Sequence, residues 1–158
     1  MAMSRSVLLQ FLGGAQSSHR LRRWIHLWPP FLGAAIRIKH IVPDMKAMDV
    51  EMKLRFWNAS YVGSHLSLFA MTGPFYMLML MANLGCDSMV WVRSASIRYR
   101  KIQKGTVRAE FRLTDAQLDD SRDKLKTLPK IGTVFQIAVM DDAGVVIAEV
   151  EKLLQVRK

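Results

Sequence analysis

Apolar and polar side chains alternate with a period of two in residues 36–42 and again in 49–56. Such alternation predicts β-strands with one buried and one solvent-facing side. A break at Pro43 and Asp44 separates the two strands, so we predict a hairpin with a short loop or a bulge. The side chains predicted to face inward are Ile36, Ile38, His40, Val42, Val50, Met52, Leu54 and Phe56.

The second half of the chain carries the same period. Residues 89–101 contain a strand with Ile97 and Tyr99 on its apolar side, and 107–113 predict another strand. Residues 133–140 and 145–156 predict a last hairpin, closed by an Asp-Asp-Ala-Gly turn. Between these strands, the spacing of Thr114 and Gln117 fits a capping box, which predicts a charged surface helix that ends near Leu128.

A stretch of 31 residues, 56–86, contains no Asp, Glu, Lys or Arg. Its apolar centre, 66–82, is long enough to suggest a membrane-spanning helix. Gly73 and Pro74 near its middle, and the amphipathic strands on both sides, argue against that interpretation. A central helix buried by a sheet produces the same pattern and is the interpretation we favour. The methionines of this segment are interpreted as flexible core filling or as the lining for a fatty chain.

The predicted order is a helix, two strands, a long apolar helix, two strands, a short helix and two strands. The central helix is the one element that can cover the apolar face of such a sheet. The sequence therefore predicts an α+β fold in which an antiparallel sheet of about six strands wraps one long helix.

The net charge is +10, because 23 Lys and Arg outnumber 13 Asp and Glu. Residues 1–43 contribute six basic side chains and no acid. Such an excess suits nucleic acid, an anionic membrane or a phosphate-bearing ligand. The sequence has no zinc-ligand pattern, glycine-rich RNA-binding motif or helix–turn–helix signature, so we predict no nucleic-acid partner.

The basic residues 1–30 are interpreted as a partly helical lead-in that packs on the domain and is stopped by Pro29 and Pro30. An organelle transit peptide is the alternative. The domain itself is predicted to occupy residues 31–158. The single cysteine, Cys86, leaves no internal disulfide framework and fits a reducing cytoplasm.

Several short segments together resemble the hotdog superfamily, and most of all a branch of bacterial proteins of unknown function grouped with thioesterases. The resemblance runs from Trp24 to the C-terminus. The segments that carry it are Leu27-Trp-Pro-Pro-Phe-Leu-Gly33, Asn58, Val62-Gly-Ser-His65, Ser67-Leu-Phe-Ala-Met-Thr72, Pro74-Phe-Tyr-Met-Leu-Met79, Leu84-Gly85, Ala95-Ser-Ile-Arg98, Gly105-Thr106 and Glu151-Lys-Leu-Leu154.

The resemblance implies homodimers joined edge to edge, or tetramers built from them. It also implies an active site at the dimer interface, beside the N-terminal end of the central helix. Unpaired N–H groups at a helix start can polarise a thioester carbonyl and stabilise the oxyanion that forms. By the same resemblance, Asn58 and His65 position the thioester, and Ser64 and Ser67 are substrate-binding. A strand-end cap and a structural histidine are the alternative interpretations of Asn58 and His65.

The helix position that carries an aspartate in the family is Gly73 here. The paired glycines expected after His65 are also missing. Thr72 or Ser67 can orient a water molecule, but neither hydroxyl can take its proton at neutral pH. We assign Thr72 and Gly73 to the catalytic position and leave the source of the acid open. Acids elsewhere in the chain that could supply it are Asp44, Asp49 and Asp87.

Arg98, Arg100, Lys101 and Lys104 crowd a strand end and turn close to where hotdog proteins hold the phosphates of coenzyme A. Basic side chains there would neutralise a phosphate. A solvated strand edge kept basic against aggregation is the alternative. No metal site is expected, because the histidines lack ligand spacing.

The predicted function is hydrolysis of an acyl thioester, carried by coenzyme A or by an acyl carrier. No cofactor is expected beyond the coenzyme A of the substrate. The first alternative is a hotdog protein that binds an acyl thioester, or scaffolds an assembly, without catalysis. A membrane-embedded or membrane-surface protein is the second alternative. We expect a cytoplasmic protein without a membrane span.

Overall fold

Six period-two segments pair into one antiparallel sheet in the computed structural model, which describes residues 27, 29–60, 72–85, 88–102 and 104–157. The strands are β1 (Ile36–Ile41), β2 (Ala47–Lys53), β3 (Met89–Tyr99), β4 (Thr106–Arg112), β5 (Lys130–Asp141) and β6 (Val146–Arg157). The helices of the described part are α1 (Pro29–Gly33), α2 (Phe75–Leu84) and α3 (Asp115–Thr127). The predicted α+β class with about six antiparallel strands is confirmed.

The strand order is β1-β2-β4-β5-β6-β3, so β1 and β3 form the two edges of the sheet. Lys53 at the end of β2 pairs with Thr106 at the start of β4, and Tyr99 at the end of β3 pairs with Ala148 near the start of β6. The last residues of β2, β3 and β5 therefore lie at one end of the sheet. We call this end the Asn58 end, because Asn58 follows β2 there.

The core lies between one face of the sheet and α2. In β4 the predicted alternation holds fully: Val107, Ala109 and Phe111 are buried, and the residues between them are exposed. The first turn of α2 packs on this face through aromatic rings. Phe75 lies 5.1 Å from Phe111, centroid to centroid, and Tyr76 stacks on Phe135 at 4.1 Å. These contacts combine burial of large apolar areas with favourable ring geometry.

The predicted 66–82 helix is interrupted at Gly73 and Pro74. Thr72 is helical, and α2 begins after Pro74, because proline lacks the N–H that a helix interior requires; α2 then continues two residues past Ala82 to Leu84. Residues 66–71 lie outside the described part of the chain. One side of α2 is buried, formed by Phe75, Tyr76, Met79 and Leu80. Within the described ranges, no helix is both long and apolar enough to cross a bilayer.

Pro29 and Pro30 are helical and lie within α1, whereas we predicted that the two prolines end a helix. The following residue, Phe31, is buried and stacks on Phe75 at 5.7 Å. Helix α1 thus joins the start of β1 to the start of α2.

Two side chains predicted to face inward on the first two strands are exposed. The register between β1 and β2 shifts between Ile38 and His40, and this bulge turns His40 to solvent. Strand β2 ends at Lys53, so the alternation does not reach Phe56, which is 90% exposed.

The inward position predicted for Tyr99 is also wrong. The Tyr99 side chain is 62% exposed at the last residue of the edge strand β3. Eleven residues of β3 extend for about 36 Å, whereas the ten residues of α2 cover about 15 Å. The end of β3 therefore extends beyond the cover that α2 provides.

The predicted capping box and last hairpin are confirmed. The Gln117 N–H donates to Thr114 Oγ1 at 3.2 Å, and the Thr114 N–H donates to Gln117 Oε1 at 3.0 Å. At the hairpin, Asp141 Oδ1 accepts from the N–H groups of Ala143 and Val145 at 3.0 and 2.9 Å. The start of α3 and the turn between β5 and β6 are each closed by a side-chain acceptor close in sequence, which is why the sequence predicts both well.

Strand β6 places one charged side chain on the core face of the sheet. Lys152 lies between Ala95 of β3 and Phe135 of β5 and is 1% exposed. Burial lowers the pKa of the Lys152 ammonium to about 8, because a medium of low dielectric constant disfavours the charged form. The protein therefore carries a lysine whose protonation costs stability.

We expect Lys152→Met to stabilise the protein at pH 7. The folded state releases the lysine proton near pH 8 and the unfolded state near 10.5, so this group makes wild-type stability rise with pH across that window. Below pH 8, burying the charged Lys152 lowers the free energy of unfolding by an amount on the order of 3 kcal/mol. This loss disappears above the pKa of the lysine in the unfolded state. Urea denaturation at pH 7.0 and 9.5 should show the gap between the two proteins narrowing by about 2 kcal/mol.

Lys130→Met, at an exposed position on the neighbouring β5, controls for the loss of one positive charge. If the stability gap between wild type and Lys152→Met is the same at both pH values, the lowered pKa of Lys152 is contradicted.

Candidate functional site

Asn58 lies in the turn that follows β2, and its side chain is buried. Its amide nitrogen donates to the carbonyl oxygens of Ala34 at 2.8 Å and Lys53 at 2.9 Å. Its amide oxygen accepts from the Arg55 N–H at 2.6 Å. One side chain therefore ties the residues before β1 to the end of β2 and closes the turn between Arg55 and itself.

Both amide hydrogens of Asn58 are used within the chain, which is the hydrogen bonding of a strand-end cap. Its amide oxygen retains a second lone pair, which an amide oxygen can offer to another donor. The predicted role in positioning a thioester stays a prediction. The geometry adds that Asn58 holds the local backbone whether or not it also contacts a ligand.

The predicted catalytic position lies at the start of α2. Thr72 is fully buried, Gly73 is half-buried, and Pro74 is the N-cap of the helix. Proline has no side-chain acceptor, so it cannot satisfy the N–H groups of the first turn as a Ser or Asp cap would. The first turn also contains no acidic residue. The helix start therefore offers N–H donors and, within this element, no carboxylate.

Helix α1 connects the start of α2 to Asn58. Phe31 of α1 stacks on Phe75 in the first turn of α2, and three residues after Phe31 the Ala34 carbonyl accepts from Asn58. The opposite end of α2 lies at the other end of the sheet, where Asn83 donates to the Met45 carbonyl at 3.3 Å in the β1–β2 loop.

The basic residues after β3 lie at the Asn58 end of the sheet. Arg98, Lys101 and Lys104 are exposed. We call these three residues the basic corner. The Leu54 N–H donates to the Gly105 carbonyl at 3.2 Å, so the end of the basic corner adjoins the segment that leads to Asn58.

Arg100, the fourth basic residue predicted at this turn, and the nearby Arg108 each pair with an acid. Glu149 pairs with Arg100 at 2.9 Å, and Asp142 pairs with Arg108 at 3.0 Å. In the part of the chain that the structure describes, the three residues of the basic corner form no salt bridge. Their charges therefore remain available to an anionic ligand.

The structure brings together part of the predicted site. Asn58 and the basic corner share one end of the sheet. The start of α2, next to Thr72 and Gly73, contacts α1 through Phe31 but packs over the far part of β4, where the Tyr76 hydroxyl is hydrogen-bonded to the backbone of Arg112. The remaining predicted residues, Ser64, His65 and Ser67, lie in residues 61–71, outside the described ranges. The sequence interpretation did not anticipate that Lys152 lies on the core face next to Phe135, the residue on which the Tyr76 ring stacks.

Two of the acids left open by the sequence lie away from the helix start. Asp49 is on the outer face of β2 and pairs with Arg112 at 2.6 Å. Asp44 lies in the β1–β2 loop, where its carboxylate accepts from the Lys46 N–H at 3.1 Å. The third, Asp87, is outside the described residues. Within the described ranges, no group of three or more His, Cys, Asp and Glu side chains is arranged to hold a metal ion.

Solved structures of other proteins share this architecture. A Pseudomonas aeruginosa protein of unknown function, described as a probable thioesterase, matches with a TM-score of 0.79 at 19% identity over 89% of this chain and 95% of that chain. A protein of unknown function from Chlorobaculum tepidum matches with a TM-score of 0.74 at 14% identity over 90% and 95%. A thioesterase from Haemophilus influenzae matches with a TM-score of 0.56 at 11% identity over 87% and 88%.

Similarity at these identities shows the fold, and the protein is a hotdog-fold protein, as the sequence resemblance implied. The chain belongs to the family described as domain of unknown function DUF4442, whose sequence profile matches residues 19–156. No curated protein matches it in sequence.

We expect Asn58→Ala to destabilise the protein by about 3 kcal/mol, because two carbonyls and one N–H in or near the core lose their partners. Urea denaturation measures this loss. Asn83→Ala is the matched control, since Asn83 also donates to two carbonyls, at the other end of the sheet. A change of less than about 1 kcal/mol in Asn58→Ala would contradict the capping geometry.

Proposed function

We propose that this hotdog protein binds acyl thioesters between the start of α2 and the Asn58 end of its sheet and hydrolyses them weakly. The proposal is carried by a start of α2 without a side-chain cap, linked through α1 to the Asn58 end, together with a basic corner without acid partners at that end. The descriptions of two structural neighbours as thioesterases support the reaction class.

In this proposal the thioester carbonyl lies at the start of α2. The N–H groups of the first turn stabilise the oxyanion that forms when water adds to the carbonyl carbon. The tetrahedral intermediate then breaks its C–S bond, releasing a thiol and a carboxylic acid. The basic corner binds the phosphates of the carrier, which fixes the thioester in position without taking part in bond cleavage.

The proposed reaction lacks an evident general base. Gly73 occupies the position before Pro74, and neither it nor the first turn of α2 supplies a carboxylate. The Thr72 hydroxyl is a hydrogen-bond partner for water but not a base at neutral pH. Hydrolysis should therefore be slow. The same observation favours the second candidate function, a hotdog protein that binds or presents an acyl thioester without cleaving it.

We further propose that the protein assembles as a homodimer or a tetramer of dimers. Strands β1 and β3 form the edges of the sheet, and edges with free N–H and C=O groups favour pairing with another copy. Size-exclusion chromatography with light scattering at micromolar concentration should give at least twice the 18.0 kDa chain mass. A stable monomer under these conditions would exclude an active site built across two copies.

We expect Gly73→Asp to increase acyl-CoA hydrolysis at least about 100-fold if the helix start binds the thioester, because a positioned general base contributes at least that much. Gly73 does not have a positive φ, so the backbone accepts a side chain. Hydrolysis is measured by thiol release, and the melting temperature verifies that the variant is folded.

Gly73→Asn is the matched control, since asparagine has nearly the same shape as aspartate but cannot take a proton. A folded Gly73→Asp variant no faster than Gly73→Asn would contradict the hydrolase proposal and favour the binding function.

A further inference from the structure

The turn after β2 exposes two large aromatic side chains. Phe56 is 90% exposed and Trp57 is 55% exposed. Their rings touch edge to face, with centroids 4.8 Å apart and planes at 86°. We call these two residues the aromatic platform. Adjacent apolar side chains left in water mark an interaction site more often than isolated ones do.

Hydrogen bonds hold the turn that carries the platform. Asn58 accepts from the Arg55 N–H at 2.6 Å and donates to the Lys53 carbonyl at 2.9 Å, and the two aromatic residues lie between these partners. The Arg55 guanidinium also lies 5.9 Å from the centroid of the Trp57 ring. The turn thus presents the rings outward in a defined position, so little ordering is required when a flat ligand binds.

The aromatic platform and the basic corner lie at the same end of the sheet. The hydrogen bond from Leu54 to Gly105 joins the two segments three residues before Trp57 and one residue after Lys104. Aromatic rings bind the faces of nucleobases, and lysine and arginine bind phosphates. A ligand with both a base and phosphates therefore matches this end of the sheet better than a ligand with phosphates alone.

We propose that the aromatic platform stacks on the adenine of coenzyme A while the basic corner holds its phosphates, so that the thioester carrier is coenzyme A itself. This inference rests on the proposed function and names the carrier that it leaves open. A protein carrier would present an acidic surface and a phosphopantetheine arm, which the basic corner can bind but which contain no base for the platform.

The test compares one acyl group on three carriers: acyl-CoA, acyl-pantetheine and acyl-(acyl carrier protein). The wild type should bind acyl-CoA at least about tenfold more tightly than acyl-pantetheine, and Trp57→Ala should remove most of this advantage while leaving acyl-pantetheine unchanged. Trp57→Phe should retain most of it, since phenylalanine keeps an aromatic face. Leu128→Ala, which removes an exposed apolar side chain elsewhere on the surface, should change neither affinity.

A second measurement avoids the thioester altogether. Adenosine 3′,5′-bisphosphate carries the base, the 3′-phosphate and the first 5′-phosphate of coenzyme A without the acyl arm, and isothermal titration should show binding that Trp57→Ala weakens. Lys101→Glu with Lys104→Glu should weaken it too and reduce its salt dependence.

The outcomes separate this inference from the proposed function. Binding or turnover of all three thioesters with no effect of Trp57→Ala leaves the thioester function standing and overturns the adenine site. Preference for the acyl carrier protein overturns it in the same way. Binding of the nucleotide without binding or turnover of any thioester supports the adenine site and contradicts the proposed function. If Trp57→Ala instead raises the dissociation constant of a dimer and leaves the carrier preference intact, a second copy covers the platform and the inference is wrong.

Discussion

A sheet with one apolar face is stable only when another element covers that face, and in the described structure α2 provides most of the cover. The rings of Phe75 and Tyr76 pack on Phe111 and Phe135 from the first turn of this helix. Because the same turn has no side-chain cap for its N–H groups, the element that closes the core also forms the candidate site. Core packing and ligand chemistry thus depend on where one helix begins.

Asn58 has a similar double effect at the end of β2. Its hydrogen bonds to Ala34, Lys53 and Arg55 stop the strand and anchor the residues before β1. The alternation of β2 would otherwise continue and turn Phe56 toward the core. Ending the strand leaves Phe56 and Trp57 in water beside the Lys104-Gly105 turn. A structural cap therefore determines which side chains are exposed at this end of the sheet.

Local patterns in the sequence predicted most of the fold. The alternation of β4, the capping box of α3 and the Asp141 turn depend on residues close in sequence, so each was predicted correctly. The candidate site was predicted less completely. Resemblance to the hotdog superfamily pointed to Asn58 and Gly73, but it left open whether Asn58 acts as a cap, which required the positions of distant carbonyls such as that of Ala34.

The sequence by itself determined the class of fold, the apolar central segment and the lack of an acid at Gly73, because these depend on residue type and on periodicity along the chain. Tertiary structure decided the exposure of His40, Phe56 and Tyr99, and the grouping of Asn58 with the basic corner. A bulge, a cap formed by a distant backbone, and a helix shorter than the strands that it covers each override local alternation. Their physical basis is contact between residues far apart in sequence, which periodicity does not encode.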